Sequence, residues 1–254
     1  IYPRRKIAMQ RVADRASLLL AVSQPMQQDL QTLFPQSEVL KLHNGVNLPS
    51  EQVLSTPRPP ELQRKKVILA CALFAERKGI PLLVEAFCRI APQHPDAILR
   101  IIGDGSESER VQQVIDHEDV THQVQLLGRK LHAEVIQEMA WADCFALVGW
   151  DEPFATVYLE AMASGKPIIC CSDGGINDVF VDGRHGYSVP PKDLSATAIA
   201  LEQMLTDDVR RLEMGHQAQQ LIQQTLTWDA KAADLIHLLK QVAAPQRTVS
   251  LIKR

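Results

Sequence analysis

Residues 144–165 read CFALVGWDEPFATVYLEAMASG, and this stretch decides the fold of the chain. Its first five residues are continuously apolar, as in a strand that is buried inside a parallel sheet. Gly149 ends that strand, and from Thr156 the apolar residues recur at helical spacing until Gly165 provides a helix stop. A buried strand, a short loop and a helix in this order predict an α/β fold.

Two glutamates, Glu152 and Glu160, flank the point where the strand gives way to the helix. Pro153 suits a turn but not a helix interior, so Glu152 is expected on the loop at the carboxyl end of the strand and Glu160 on the helix. Ligands of open parallel sheets bind at that end of the strands. The spacing therefore predicts two carboxylates around one crevice. An exposed loop acid and a glutamate favoured by the helix dipole are the simpler alternatives, and position alone does not name a ligand.

Apolar strand-like runs alternate with helical segments through the rest of the chain, which is the pattern of a doubly wound sheet. Strands are predicted near residues 17–22, 67–71, 98–102, 125–127, 144–148, 167–171 and 187–189. Helices are predicted near residues 80–90, 106–117, 132–139, 156–164, 194–205, 208–224 and 228–242. The expected fold class is therefore α/β, with a doubly wound, Rossmann-like parallel sheet.

Composition limits the kind of protein that this chain can be. Its 254 residues, 46% of them hydrophobic, can bury a large core. The net charge of −3 argues against a nucleic-acid binder, which would show a strongly basic face. Five cysteines without a Cys-x-x-Cys pair indicate free thiols in a reducing compartment, so we expect a cytoplasmic protein. The longest strongly apolar stretch, residues 16–22, is too short to span a bilayer.

A linker is predicted between residues 48 and 60, where proline, serine and threonine accumulate. Residues 1–47 are too few to form a domain of their own. The chain also begins with Ile1 and not with methionine. We therefore expect residues 1–47 to be the end of a preceding domain whose earlier part is missing.

Two basic residues, Arg77 and Lys78, follow the strand that is predicted to end at Cys71. They could neutralise a diphosphate, and Gly79 would let the backbone approach it. The alternative is a solvated basic turn. The position at the carboxyl end of a strand favours binding.

Two glycine-containing loops allow more than one interpretation. Gly103-Asp104-Gly105 lacks the third glycine of a dinucleotide fingerprint, and the acidic Glu107 and Glu109 would repel a pyrophosphate. We interpret it as a tight turn before a helix that Ser106 caps. Residues 172–175 could present N–H groups to phosphate or sugar oxygens, or they could form a plain turn.

The sequence contains no motif that is typical of a metal site or of a nucleophilic serine. Asp-x-Asp, His-Glu-x-x-His and Gly-x-Ser-x-Gly are all missing. The eight histidines are scattered, and we interpret them as structural or surface residues, including His132 at the start of a predicted helix.

The segment from Glu152 to Ile169 resembles the Glu-x7-Glu signature of retaining GT-B glycosyltransferases of family 4. Further matches follow in the family's order: Ala21-Val22-Ser23, His43-Asn44-Gly45-Val46-Asn47, Lys78-Gly79, Ile101-Ile102-Gly103-Asp104-Gly105, Leu127-Gly128-Arg129, Asp173-Gly174-Gly175, Asp182-Gly183-Arg184-His185-Gly186-Tyr187, Val189-Pro190-Pro191 and Thr227-Trp228. The resemblance implies the C-terminal half of a two-domain GT-B fold. It assigns residues 1–47 to the acceptor domain, 48–60 to a linker, 61–225 to the donor-binding domain and 226–254 to a helix that crosses back.

The resemblance implies transfer of a sugar from a nucleoside-diphosphate sugar to a glycan or lipid-linked acceptor, as in polysaccharide or glycoconjugate synthesis. The lack of a metal motif fits a metal-independent site, and we expect no cofactor; the net charge already argues against a nucleic-acid partner. The resemblance is compatible with peripheral attachment to the cytoplasmic face of a membrane through the first domain.

The resemblance also implies roles for individual residues. Glu152 would contact the donor sugar near its reactive carbon, Lys78 would hold the diphosphate, and Glu160 would bind the nucleotide ribose. The other implied donor contacts are the backbone amides of Phe154, Ala155 and Thr156, the loop beside the base at Gly128 and Arg129, and Gly103.

The chain departs from the family at two positions. A Gly-Arg pair usually follows the first strand of this domain, whereas this chain has Leu73 without an arginine. Either Arg77 substitutes for that arginine or diphosphate binding is weaker. Ala155 stands where glycine is common, so the sugar could be held differently. Two alternatives stay open: a non-catalytic nucleotide-sugar-binding module or degenerate transferase, and a sugar-nucleotide epimerase or phosphorylase of the same architecture.

Overall fold

A computed structural model of the chain describes residues 3–118 and 120–243. The strands are β1 (Leu19–Ala21), β2 (Val39–Lys41), β3 (Lys66–Cys71), β4 (Ala97–Ile102), β5 (Val124–Leu126), β6 (Cys144–Ala146), β7 (Ile168–Cys171) and β8 (Gly186–Val189). The helices are α1 (Pro3–Ala13), α2 (Gln24–Leu33), α3 (Glu51–Leu54), α4 (Ile80–Ile90), α5 (Ser108–His117), α6 (His132–Trp141), α7 (Thr156–Ala163), α8 (Leu194–Thr206), α9 (Asp208–Thr225) and α10 (Trp228–Ala243).

The main sheet has six parallel strands in the order β5-β4-β3-β6-β7-β8. Strand order runs outward in both directions from the β3–β6 pair, which makes that pair the topological switch point of the sheet. The predicted α/β class and doubly wound parallel sheet are confirmed. The loops that follow β3 and β6 consequently leave the same edge side by side.

Helices cover both faces of this sheet. On one side α4 packs against α5 and α8, and on the other α7 packs against α6 and α9. Central strands covered on both faces must be apolar throughout, and β7 is buried at all four positions. Phe145 of β6 meets Tyr158 of α7 edge to face, with ring centroids 6.0 Å apart. This contact fixes α7 against the strand that precedes it.

A smaller unit precedes the main sheet and contacts it closely. Strands β1 and β2 form a parallel pair against α2. The Val46 N–H donates to the carbonyl of Leu226 at 2.9 Å, and the Trp228 N–H donates to the carbonyl of Val46 at 3.3 Å. A Cβ atom at Gly45 would lie 2.8 Å from Trp228 Cα, so glycine lets the two segments touch. The domain boundaries drawn from the family resemblance stay a prediction.

The structure differs from the sequence-based elements in two respects. Helices α1, α2 and α3 and strand β2 were not predicted; β2 has only three residues, which is too short to show a period. The cap assigned to Ser106 is wrong, since α5 begins at Ser108 and the Ser106 hydroxyl donates to the carbonyl of Phe74 at 3.3 Å. All five cysteines are free thiols, as expected. None of the described helices combines the length and the apolar character needed to cross a bilayer.

Candidate functional site

Three charged side chains meet where the loops after β3 and β6 lie side by side. The Arg77 Nη1 atom lies 3.0 Å from Glu152 Oε2, and the Lys78 Nζ atom donates to the same oxygen. The Lys78 and Glu152 side chains are only 16% and 11% exposed, so this charge pair is partly shielded from water. The structure therefore joins three residues that the sequence had placed on two separate loops.

Two glycines let these loops touch through their backbones. Gly79 has φ 66°, and a Cβ atom there would lie 2.8 Å from the carbonyl oxygen of Val148. A Cβ atom on Gly149 would lie 2.8 Å from the carbonyl oxygen of Arg77. The Trp150 N–H donates to that same carbonyl at 2.9 Å. The backbone contacts fix the position of the basic loop relative to the Glu152 loop.

The loop after β7 supports the Glu152 loop from the other side. The Asp151 N–H donates to Asp173 Oδ2 at 3.2 Å, and the Gly175 N–H donates to the carbonyl of Glu152 at 2.8 Å. A Cβ atom at Gly175 would lie 1.8 Å from the carbonyl oxygen of Pro153. Residues 172–175 could bind a ligand through their N–H groups or form a plain turn. Gly175 fits the plain turn, because its N–H already donates to the carbonyl of Glu152.

Helix α7 begins beside this cluster. Ala155 precedes the helix and provides no side-chain cap, so the first N–H groups of α7, starting at Thr156, lack that partner. Phe154 is buried and stacks on His43, with ring centroids 5.1 Å apart. The start of α7 thus presents N–H groups and a positive dipole end next to Glu152.

Glu160 faces a cavity of about 320 Å³ between α6, α7 and the segment before α3. Its Oε1 atom lies 2.9 Å from His132 Nε2. The cavity is lined by Gly45, Val46, Asn47, Leu48, Pro49, His132, Ile136, Thr156, Glu160 and Trp228. Sequence reasoning missed His132, although it opens the helix that follows β5 and so lies at the ligand-binding edge of the sheet.

The pKa of the Cys71 thiol, at the end of β3, is raised by its surroundings. Burial, and then the negative charge of Glu160, raise the pKa of Cys71 to about 11. The thiol therefore stays protonated at neutral pH, and Cys71 is not an activated nucleophile.

A second group of predicted site residues lies on the loops after β4 and β5. The Gly103 N–H donates to the carbonyl of Gly128 at 2.9 Å, and Arg129 Nε lies 3.6 Å from Asp104 Oδ2. Arg129 is otherwise well exposed. A Cβ atom at Gly103 would lie 1.9 Å from the carbonyl oxygen of Ala72, so close packing alone requires glycine there.

Leu73 lies on the loop where the resemblance had led us to expect an arginine. The main chain on its carboxyl side is held by the Phe74 N–H, which donates to the carbonyl of Asp104 at 3.0 Å. The Leu73 side chain is 59% exposed. The nearest cationic groups on the Glu152 carboxylate are therefore Arg77 and Lys78, not a residue at position 73.

Asp178 connects the smaller unit to the turn after β7, and no sequence pattern indicated it. Its Oδ2 atom accepts from the Gln24 N–H at 2.7 Å and lies 3.1 Å from both Lys41 Nζ and His43 Nε2. Burial acts to raise the pKa of Asp178, but the hydrogen bonds from His43, Gln24 and Lys41 hold it below its ordinary value. Burial lowers the pKa of His43, so this imidazole is neutral at pH 7.

These elements combine the features of an anion site with two carboxylates that can accept hydroxyl hydrogens. Arg77, Lys78 and the start of α7 supply positive potential, and Glu160 faces a cavity. Within residues 3–118 and 120–243, His, Cys, Asp and Glu side chains form no group of three or more that could hold a metal ion.

The chain resembles known proteins over most of its length. The family model for glycosyl transferases group 1 matches residues 56–221. A GDP-mannose-dependent monoacylated alpha-(1-6)-phosphatidylinositol monomannoside mannosyltransferase of Corynebacterium glutamicum is 26% identical over 94% of this chain and 66% of its own length. A D-inositol 3-phosphate glycosyltransferase of Corynebacterium diphtheriae is 29% identical over 91% of this chain and 57% of its own length. The chain thus spans about two thirds or less of these curated relatives.

Solved structures share the fold. Sucrose-phosphate synthase from Thermosynechococcus elongatus superposes with a TM-score of 0.80 and 23% identity, over 94% of this chain and 61% of that one. Anabaena HepE in complex with UDP and glucose superposes with a TM-score of 0.82 and 21% identity, over 94% of this chain and 67% of that one. At these identities the likeness supports the fold and does not identify a substrate.

Proposed function

The chain belongs to the glycosyl transferases group 1 family, and from that premise we propose that it is the donor-binding part of a retaining glycosyltransferase. The donor would be a nucleoside-diphosphate sugar. The observation that carries the proposal is the meeting of Arg77 and Lys78 with Glu152 beside the start of α7, at the switch point of the sheet. Cations and helix N–H groups bind a diphosphate, and a carboxylate can accept hydrogen bonds from the hydroxyls of the attached sugar.

The diphosphate would bind Lys78, Arg77 and the N–H groups that start at Thr156. Two cations share one carboxylate, so the three side chains carry an excess of one positive charge at neutral pH. A diphosphate would compete with Glu152 for both cations, which would let that carboxylate turn to the donor sugar. Arg77 would thereby substitute for the family arginine that Leu73 replaces, and the backbone amides of Phe154 and Ala155 would meet sugar or phosphate oxygens.

The nucleoside would lie one turn further along α7, in the cavity that Thr156 and Glu160 both line. Glu160 would accept hydrogen bonds from the ribose hydroxyls, because its carboxylate faces a cavity and a carboxylate accepts only. The base would lie beside Gly128 and Arg129, next to the Gly103 turn. HepE, which shares the fold, is seen with UDP and glucose, and this supports a nucleotide-sugar donor in general.

The reaction breaks the bond between the anomeric carbon and the diphosphate oxygen, so negative charge builds on the leaving group. Fixed positive charges aimed at that group give the largest stabilisation of such a transition state. Lys78, Arg77 and the α7 dipole would supply them, and we therefore expect transfer without a metal or other cofactor. Retention is compatible with front-face attack or with a covalent glycosyl intermediate.

The acceptor would be a glycan or lipid-linked molecule, and the setting the cytoplasm or the cytoplasmic face of a membrane. The mannosyltransferase relative, whose name includes a phosphatidylinositol mannoside, supports this class of acceptor. Polysaccharide or glycoconjugate synthesis is the role that follows. A non-catalytic sugar-nucleotide-binding module is the second candidate, and the exposed Leu73 in place of an arginine favours it.

Isothermal titration calorimetry against UDP, GDP and ADP tests the donor site. We expect one of these nucleotides to bind to the wild type. Glu160→Ala should weaken its affinity more than about tenfold, a loss of roughly 1.4 kcal/mol of binding free energy. Glu152→Ala is the matched control from the same site. It should largely keep nucleotide affinity while abolishing sugar transfer or donor hydrolysis.

Unchanged affinity in the Glu160 variant would exclude the ribose assignment. Equal losses of binding and turnover in the Glu152 variant would instead indicate a structural role for that residue. Tight binding of a nucleotide sugar without any transfer or donor hydrolysis by the full-length protein would favour the non-catalytic module.

A further inference from the structure

His132 makes a contact to the donor site that the family resemblance does not assign. Its Nε2 atom lies 2.9 Å from Glu160 Oε1, and both side chains line the same cavity of about 320 Å³. The Glu160 side chain is 17% exposed and the His132 side chain 71% exposed. In the described part of the chain, His132 is the sole side-chain hydrogen-bond partner of the Glu160 carboxylate.

The position of His132 is set by the start of α6. The Leu131 N–H donates to Glu134 Oε2 at 2.8 Å, which fixes the first turn of that helix. Helix α6 packs against α7, the helix that carries Glu160. The imidazole and the carboxylate therefore project from two packed elements, and their contact does not depend on a loop.

The contact matters because a carboxylate has two oxygens that can each accept hydrogen bonds. A glutamate on a helix surface can otherwise adopt several rotamers, and ordering it would oppose ligand binding. With Oε1 engaged by His132, the carboxylate is oriented and Oε2 stays available for the hydroxyls of a ribose. Groups that bind with high selectivity are usually held in this way by a second residue.

Resting on the proposed donor function, we infer that His132 is a positioning residue for the ribose. By orienting Glu160 it sets how strongly the site prefers ribonucleotides to 2′-deoxyribonucleotides. A site built to bind a hydroxyl discriminates strongly against a ligand that lacks it, because its polar group then stays unpaired. That discrimination requires the acceptor oxygen to be fixed in place.

The test compares UDP, GDP and ADP with their 2′-deoxy counterparts by calorimetry, in the wild-type protein and in two variants. We expect the wild type to prefer the ribonucleotide by about tenfold or more. His132→Ala should reduce that preference at least about threefold, because it should weaken the binding of the ribonucleotide and leave the binding of the 2′-deoxyribonucleotide unchanged. His132→Gln, whose amide can still donate to Glu160, should largely retain it. His117→Ala, which removes a histidine that is 84% exposed on α5, is the control and should change neither affinity.

Four results would overturn the inference, and they differ in which other assignment they exclude. A His132→Ala protein that keeps the full ribose preference, or that loses both affinities equally, excludes the positioning role alone. A wild type that binds both nucleotide types equally also excludes a contact between Glu160 and the 2′-hydroxyl. A wild type that binds no nucleoside diphosphate overturns the proposed function itself. Thermal melting of each variant separates these results from a failure to fold.

Discussion

At the scale of single residues, the site depends on how two cations share one carboxylate. Arg77 is 48% exposed and Lys78 only 16%, although both contact Glu152 Oε2. An exposed ion pair contributes little because water screens it, whereas a shielded cation interacts more strongly with an anion. Lys78 should therefore contribute more than Arg77 to the binding of a diphosphate.

We predict that Lys78→Ala weakens the binding of a nucleoside diphosphate by about tenfold or more. The affinity for the parent nucleoside should stay nearly unchanged. Arg77→Ala should show the same selectivity with a smaller loss. Calorimetry with both ligands measures this. Arg89→Ala, which removes an exposed arginine in the last turn of α4, serves as the control. Equal losses for diphosphate and nucleoside in the Lys78 variant would rule out its diphosphate contact.

At the scale of elements, glycines determine how closely the loops of the site approach each other. Gly79 and Gly128 have nearly the same backbone conformation, with φ of 66° and 64°. A Cβ atom at Gly79 would lie 2.8 Å from the carbonyl oxygen of Val148, whereas one at Gly128 would meet nothing within 4 Å. The two positions thus separate the cost of a left-handed backbone from the cost of a steric clash.

We predict that Gly128→Ala lowers the free energy of unfolding by roughly 1 to 2 kcal/mol, the conformational cost of a left-handed alanine. Gly79→Ala should lower it clearly more, because the basic loop must also move away from Val148. Urea unfolding, monitored by circular dichroism, measures both values. Equal losses in the two variants would show that the β3 and β6 loops do not need their close contact.

At the scale of the whole molecule, Asp178 and His43 connect the smaller unit to the main sheet. Burial lowers the pKa of His43 below its ordinary value of about 6.5. Below that pH the unfolded chain binds a proton more readily than the folded protein, so folding stability falls as the pH falls. The pKa of Asp178 is also lowered in the folded protein, so protonation of this carboxylate causes a second loss of folding stability at more acidic pH.

We therefore predict that the urea midpoint of the wild type decreases as the pH is lowered from 7 towards 5, and that His43→Gln flattens this decrease. The comparison variant is His117→Gln, which changes an exposed histidine on α5 and should behave as the wild type. If His43→Gln retained the full pH dependence, the partly buried imidazole of His43 would not be its source.

The elements that the sequence predicted best are those with a strong local pattern. Apolar runs gave β3, β4, β6 and β7 within a few residues, because strands buried on both faces must be apolar throughout. Helices α1, α2 and α3 were missed, as were the short β2, whose three residues show no period, and the start of α5, where Ser106 bonds to a distant loop. Glu152 and Lys78 could each be assigned to the end of a strand from local pattern alone.

The sequence by itself therefore determined the α/β class, the parallel sheet and the loops that carry candidate ligand-binding residues, because each strand, loop and helix has its own local pattern. Ordered matches along the chain determined the family. Only the tertiary structure decided that Arg77 and Lys78 contact the same oxygen of Glu152 and that His132 contacts Glu160. It also decided that Asp178 connects the smaller unit to the turn after β7. The physical reason is strand order. Placing β6 directly beside β3 brings together side chains separated by 74 residues, and no local pattern encodes that distance.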